Sequence, residues 1–346
     1  MALEFAKTLQ KLADHEELTS DQISFSFEEL TEGRLTQAQI AALLMGLKAK
    51  GETAAEITEI ARHLRIKAHR ITPKVKLLMD TCGTGGDGAQ TFNISTAAAF
   101  VVAGAGIPVA KHGNRSVSSQ CGSADVLEQL GINLELDPKA VEQVIEEIGI
   151  GFLFAPAFHP AMKYASAPRR ELGVRTVFNV LGPLLNPAGA THQIVGVYDP
   201  RLTEVLALAL SNLGVQAGMV VHGSGLDEIT LSGATLINEF GNGKLKTYQI
   251  TPEDFGFQRA DLSRVQSQSP EEGAEILRDV LAGETGPPRD VVLLNAGAAV
   301  YISGKAQGFE EGIELAAESI DSRAAEHKLH SLIHASRREV SHGLLR

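Results

Sequence analysis

The 346-residue chain contains no tryptophan, only four tyrosines and only two cysteines, Cys82 and Cys121. Two cysteines cannot build a disulfide framework or a thiolate metal site, and they suit a reducing cytoplasm. Basic residues are also scarce: 31 lysines and arginines stand against 42 aspartates and glutamates, a net charge of −11. That balance argues against a surface that tracks nucleic-acid phosphates, while leaving room for a local basic pocket. No stretch approaches eighteen uninterrupted apolar residues. The most apolar one, AAAFVVAGAGIPVA, runs into Lys111 and His112 and reads as a buried helix and strand, not a membrane span. MALEFAKTLQKLADHEELTSDQ has charges scattered through it and no apolar run of signal length, so export is not expected and a cytoplasmic location is. The chain is 44% hydrophobic, enough for a sizeable core.

From Leu3 to about Ala68 apolar residues recur at helical spacing, as in Ile40, Leu43, Leu44 and Leu47, then Ile57, Ile60, Ala61 and Leu64. Thr19-Ser20-Asp21 and Thr36 read as helix N-caps, and Lys50-Gly51 as a helix end before the next cap at Thr53. After Pro73 short apolar runs alternate with helical stretches: KLLMDTCG, GIPVAKHG, GINLEL, GIGFLFAP, HQIVGVYD, GMVVHG and DVVLLNAG. This alternation predicts βαβ units and a mostly parallel sheet. A helix opens at Asp137-Pro138, with Asp as cap and Pro at the first helical position. Gln249 to Val265 reads as a loop with one edge strand, and Gly308 to about Arg337 as helix. The expected architecture is α/β: a small helical domain over residues 1–72, joined by helices near 162–185, and a large domain over 73–346 with a mostly parallel central sheet and surrounding helices.

Three clusters carry chemistry. In DTCGTGGDGAQTFNIST, Gly83, Gly85, Gly86 and Gly88 follow a strand and precede a helix, exposing backbone N–H groups at a helix start, which makes an anion cradle. Asn93, Ser95 and Thr96 add side-chain donors at the same mouth. GTGGDG matches the dinucleotide spacing, yet the next strand ends in Lys111 and Arg115 where that fold places an acid, and basic residues suit phosphates better than a ribose diol. KHGNRSVSSQCGSAD then crowds Lys111, Asn114, Arg115, Ser116, Ser118, Ser119 and Ser123 into a second loop, more donors than one phosphate needs. Two such loops at neighbouring parallel strands converge on one crevice. HGSGLDEITLSG places Asp227 and Glu228 side by side, and hard cations such as magnesium take carboxylate oxygens and bridge to substrate phosphates. Finally, His159, Lys163, Arg169, Arg170 and Arg175 lie among apolar and aromatic residues between Phe154 and Pro187, a setting for an aromatic carboxylate. For Arg170 and Arg175, capping helices or joining the two units is the preferred reading.

QIAALLMGLKAKGET, GTGGD, NIST, KHGNRSVSSQCGSAD, HPAMK, LGVRTVFNVLGPLLNP, GSGLDE and NAGAAVY, in this order over nearly the whole chain, resemble the anthranilate phosphoribosyltransferases of tryptophan biosynthesis. The resemblance implies transfer of the 5-phosphoribosyl group from phosphoribosyl diphosphate to the amino group of anthranilate, with magnesium, two ions per subunit, assisting diphosphate release. It implies the fold of the pyrimidine nucleoside phosphorylases and a homodimer formed through the helical part. Carried over residue by residue, Gly83, Gly86, Asp87, Thr91, Asn93, Ile94, Ser95, Thr96, Lys111, His112, Gly113, Asn114, Arg115, Ser116, Val117, Ser118, Ser119 and Ser123 would hold phosphoribosyl diphosphate. Gly83, Asn114, His112, His159 and Arg169 would face anthranilate, and Ser95, Asp227 and Glu228 would serve magnesium.

An aromatic amine already carries its lone pair near neutrality, so no general base is expected; catalysis would rest on positioning and electrostatics by Lys111, Asn114 and Arg115. Cys82 and Cys121 read as small spacers. Two rival readings stand beside this one. A pyrimidine nucleoside phosphorylase typically carries Lys-His-Ser-Thr-Gly-Gly where this chain has DTCGTGGD, and a non-enzymatic nucleic-acid-binding paralogue fits poorly with the acidic charge.

Overall fold

The computed structural model describes residues 2–115 and 121–343. Four helices come first: α1 (Ala2–Ala13), α2 (Ser20–Thr31), α3 (Gln37–Lys50) and α4 (Ala54–Ile66). Thr19, Thr36 and Thr53 cap the last three, each hydroxyl accepting from the amide three residues on while Gln22, Gln39 or Glu56 returns the bond. Glu56 does more than cap. Its carboxylate also accepts from Leu18 N at 3.0 Å and Lys50 Nζ at 2.7 Å, fastening the α2 and α3 ends to α4.

A seven-stranded sheet follows, in the order β3-β2-β1-β4-β5-β6-β7. β1 (Met79–Gly83), β2 (Val109–Gly113), β3 (Ile150–Phe154), β4 (His192–Gly196) and β5 (Ala217–Gly223) are parallel, while β6 (Thr235–Gly241) and β7 (Lys244–Ile250) complete the sheet antiparallel. The helices that accompany it are α5 (Ile94–Gly104), α6 (Ser123–Gln129), α7 (Pro138–Ile148), α8 (Ala155–Phe158), α9 (Lys163–Leu172), α10 (Phe178–Leu181), α11 (Leu202–Asn212), α12 (Pro270–Leu281), α13 (Pro287–Ile302), α14 (Phe309–Asp321) and α15 (Ala324–Gly343). Among the described residues no helix is long and apolar enough to cross a membrane.

Strand side chains alternate between faces, and this splits the interior in two. Met79, Ile194, Met219 and Val221 face a core built with α5, α7 and α12 to α15. Cys82, Val195 and Val220 face a second core shared with α1 to α4, α10 and α11, in which Phe27, Leu43, Leu44 and Leu47 are fully buried. The helical unit is thus packed directly against one sheet face. α9 reaches it through buried Ala165, and Phe178 of α10 meets Phe27 of α2 at 6.3 Å between ring centroids.

Three expectations are corrected. DVVLLNAG is not a strand but the middle of α13: a helix buried on nearly every side is as continuously apolar as a buried strand. GINLEL runs extended without strand partners, because Ser336 of α15 takes both the N–H and the side-chain amide of Asn133 while Ile132, Leu134 and Leu136 pack inward. The edge strand is β7, which ends where the expected loop begins. Residues 251–265 hold two short 3-10 turns instead.

Phe27→Ala should empty a site that holds α2 against α10, lowering unfolding free energy by about 3–5 kcal/mol. Urea unfolding followed by circular dichroism checks this, and a loss below about 1 kcal/mol would contradict the shared core.

Candidate active site

The carboxyl ends of β1, β2, β4 and β5 carry the site. The chain leaves β1 at Gly83, turns through Gly85, Gly86 and Gly88, all with φ between 66° and 80°, and enters α5 at Ile94. The turn is tied on both flanks. Thr84 N donates to Gly196 O at 2.9 Å, and Gln266 Nε2 donates to Ala89 O at 2.8 Å. Thr91 forms an isolated bridge with Gln266.

The loop after β5 lies across this turn. Asp227 accepts from Gly85 N at 2.7 Å through Oδ2, and its own N–H donates to Asp87 Oδ2 at 3.3 Å. A β-carbon on Gly83 would sit 2.2 Å from that carboxylate oxygen, so the absence of a side chain at position 83 is what admits Asp227. Glu228 is buried and accepts from Ser95 N at 3.1 Å, where α5 begins. Desolvation, reinforced by Asp87 and Glu228, raises the Asp227 carboxyl well above the usual range, and burial pushes Glu228 up to about 7.

Lys111, at 4% exposure, faces the same side from β2. Its Nζ donates to Thr81 O at 2.6 Å and to Ser95 Oγ at 3.3 Å, and burial lowers its pKa despite the acids around it. Beneath it Asp80 is wholly buried, its carboxylate taking Asn186 Nδ2 at 2.7 Å and His112 N at 3.2 Å, with Gln193 Nε2 at 3.5 Å. Desolvation pushes Asp80 up to about 6, and Lys111 opposes that rise.

His112, next along β2, points to the opposite face. Its Nδ1 lies 3.2 Å from Gly182 O, and its ring meets His159 edge-on at 5.1 Å between centroids. Burial lowers His112 to about 3 and His159 to about 4, so both are neutral, and among the described residues the buried Nε2 atoms of both have no hydrogen-bond partner. Arg169 lies 5.1 Å over the ring of Phe178 in a partly buried position that lowers its pKa, and among the described residues no carboxylate pairs with it.

The structure therefore brings together Gly83, Gly85, Asp87, Ser95, Lys111, Asp227 and Glu228 on one side and sets His112 against His159 on the other, while Arg169 lies over Phe178. Ile94 and Thr96 are buried at the start of α5, and Thr96 Oγ1 has no protein partner. Asn93 does not cap α5. Its amide donates to Cys121 O at 3.1 Å and ties the two loops together. Asn114 is exposed just beyond Gly113, and its carbonyl accepts from Ser123 Oγ at 3.3 Å. Arg115 is turned onto Asp125 and Glu128, at 2.9 and 2.8 Å. Ser116, Val117, Ser118 and Ser119 lie outside the described residues. Sequence reasoning passed over Asp80 and its partners Asn186 and Gln193, which reach it across more than a hundred residues of chain; the one signal was an asparagine inside GPLLNP.

Comparison with known proteins agrees with the two-part fold. Residues 6–68 match a glycosyl transferase family helical bundle domain, and residues 75–326 the a/b domain of that family. The anthranilate phosphoribosyltransferase of Desulfosudis oleivorans is 52% identical, over 95% of this chain and 98% of its own length. The crystal structure of the Thermus thermophilus anthranilate phosphoribosyltransferase superimposes with a TM-score of 0.91 at 44% identity, covering 95% of this chain and 99% of that one. The Saccharomyces cerevisiae enzyme in complex with phosphoribosyl diphosphate and Mg gives 0.88 at 30% identity, over 96% and 98%, and it has also been solved with 4-fluoroanthranilate. By this sequence and structural similarity, the chain belongs to the anthranilate phosphoribosyltransferase family.

Proposed function

We infer that the chain transfers the 5-phosphoribosyl group from phosphoribosyl diphosphate to the amino group of anthranilate, releasing diphosphate, in tryptophan biosynthesis. One observation carries the reading: an acidic loop pressed against a glycine cradle beside a buried lysine on one sheet face, with two neutral histidines on the other and an arginine over Phe178 that among the described residues pairs with no carboxylate.

The donor side is assigned to Gly83, Gly86, Asp87, Thr91, Asn93, Ile94, Ser95, Thr96, Lys111, Gly113, Asn114, Arg115 and Ser123, with the 116–119 segment completing it. Magnesium, two ions per subunit in this reading, would be held by Ser95, Asp227 and Glu228. Both acids are raised chiefly by desolvation, Glu228 against the opposing pull of Lys111, and among the described residues no three acidic, histidine or cysteine side chains enclose an ion. That is the pattern of magnesium, which keeps waters and borrows phosphate oxygens. Bound there, magnesium supplies charge that neutralises the departing diphosphate. Lys111 adds a fixed ammonium to the same field.

On the acceptor side Arg169 suits the carboxylate of anthranilate, and Phe178 holds its guanidinium flat. His112 and His159, with Gly83 and Asn114, would border the aromatic amine. The nitrogen lone pair forms the bond to ribose C1 as the C1–oxygen bond breaks and its electron pair leaves with diphosphate; the nitrogen then sheds a proton to solvent. Histidines this far below neutrality are poor bases, which supports catalysis by alignment and electrostatics. We further propose a cytoplasmic homodimer joined through the helical unit, where Leu3, Met45 and Ile66 are exposed, and a domain boundary between residues 72 and 73.

Asp227→Ala with Glu228→Ala should lower turnover by about a hundredfold or more and flatten its response to magnesium; unchanged magnesium dependence in steady-state kinetics would remove the assignment. Arg169→Ala should raise the KM for anthranilate far more than that for phosphoribosyl diphosphate, and the opposite split would move the acceptor site elsewhere. The raised Glu228 also has a pH signature. Its folded-state pKa lies above the ordinary 4.5, so its contribution to stability is full below about pH 4.5 and is lost as pH rises through about 7. Without metal, thermal stability of the wild type should therefore decline over that window by up to about 3 kcal/mol more than that of Glu228→Gln; identical declines in calorimetry would contradict the burial argument.

A further inference from the structure

We propose that Arg175 is a positioning residue that latches the glycine loop in the shape that receives diphosphate, linking the acceptor-side helix α9 to the donor-side loop. The proposal rests on the phosphoribosyl-transfer reading above. α9 ends at Leu172, Gly173 reverses the chain at φ 62°, and Arg175 emerges exposed two residues later. Its guanidinium lies 4.2 Å from the ring centroid of Tyr198, beyond β4, and Nη2 donates to the carbonyl of Gly86.

Gly86 sits at the top of the turn with φ 80°, a conformation in which its carbonyl can face the arginine. The residues on either side of it are both bound to Asp227, Gly85 through its N–H and Asp87 through its carboxylate. Arg175 holds the remaining side. Tyr198 serves both partners, since its ring supports the guanidinium while its N–H donates to Thr84 Oγ1 at 3.2 Å in the same loop. Among the described residues Arg175 pairs with no carboxylate; its recorded partners are the Gly86 carbonyl and the Tyr198 ring. A stretch with glycines at 83, 85, 86 and 88 loses much backbone freedom when it orders around a ligand. Fixing it beforehand from outside lowers that cost at the donor step, and leaves the acceptor step nearly untouched.

The test measures Kd for phosphoribosyl diphosphate with magnesium by calorimetry, KM for both substrates, and Tm, for wild type, Arg175→Ala, Arg175→Lys, Tyr198→Leu, Tyr198→Phe and the Arg175→Ala/Tyr198→Leu double variant. Arg175→Ala should weaken phosphoribosyl diphosphate by about tenfold or more while moving the anthranilate KM by less than about twofold. Arg175→Lys should rescue only in part, because an ammonium neither stacks on Tyr198 as a plane nor presents a fork. Tyr198→Leu should show a smaller effect of the same kind, Tyr198→Phe almost none, and the double variant no more than Arg175→Ala alone, since the two residues act as one unit. Unchanged donor affinity in Arg175→Ala, an equal or larger shift for anthranilate, full rescue by lysine, additive double-variant losses, or a fall in Tm with constants unmoved would each overturn the latch. A wild type that binds the donor and loses that affinity in Arg175→Ala, yet never consumes anthranilate, would sink the transfer reading and keep the latch.

Discussion

Asp227 lies where β1 and β4 end side by side in glycine. Gly83 and Gly196 are partners in the sheet, and a β-carbon on either would fall within 2.2 Å of Asp227 atoms. The missing pair of side chains opens a gap at the mouth of the sheet, and the loop after β5 fills it. This close approach brings Asp227 and Glu228 within reach of Gly85 and Ser95, and so joins the acidic loop to the glycine turn and the start of α5. It also gathers negative charge where solvent is scarce, and this desolvation raises both acids even though Lys111 pulls Glu228 the other way.

The alternation of β2 separates two groups of polar side chains. Lys111 turns toward α5 and the acids, while His112 turns toward the helical unit, Gly182 and His159. Asp80 sits under both, binding the His112 N–H directly and balancing the Lys111 charge through space. A single buried carboxylate thus holds the backbone of the strand that carries both Lys111 and His112. The neutral histidines follow from the same dry setting: burial costs an imidazolium more than it costs an imidazole.

Much of this was legible in the sequence because the signals are local. Helix caps at Thr19, Thr36, Thr53 and Asp137 depend on residues three positions apart, and the structure has all four. Five strands stood out as short apolar runs followed by polar loops. The β6–β7 hairpin was missed although Asn242-Gly243, both at positive φ, is a strong turn signal, because the flanking strands carry Asn238, Glu239, Lys244 and Lys246. α13 was misread because burial on every side erases periodicity. In the site, charged and hydroxyl residues announced themselves by type, but their pairing did not. Nothing local says that Asp80 meets Asn186, that Asp227 replaces a side chain at Gly83, or that Arg175 reaches Gly86.

The most direct measurement follows anthranilate fluorescence during incubation with the protein, phosphoribosyl diphosphate and magnesium, with diphosphate release recorded in parallel. The account predicts that fluorescence falls in step with diphosphate release, and that removing either phosphoribosyl diphosphate or magnesium stops both. No fall with all components present, or the same rate after the metal is chelated, would contradict it.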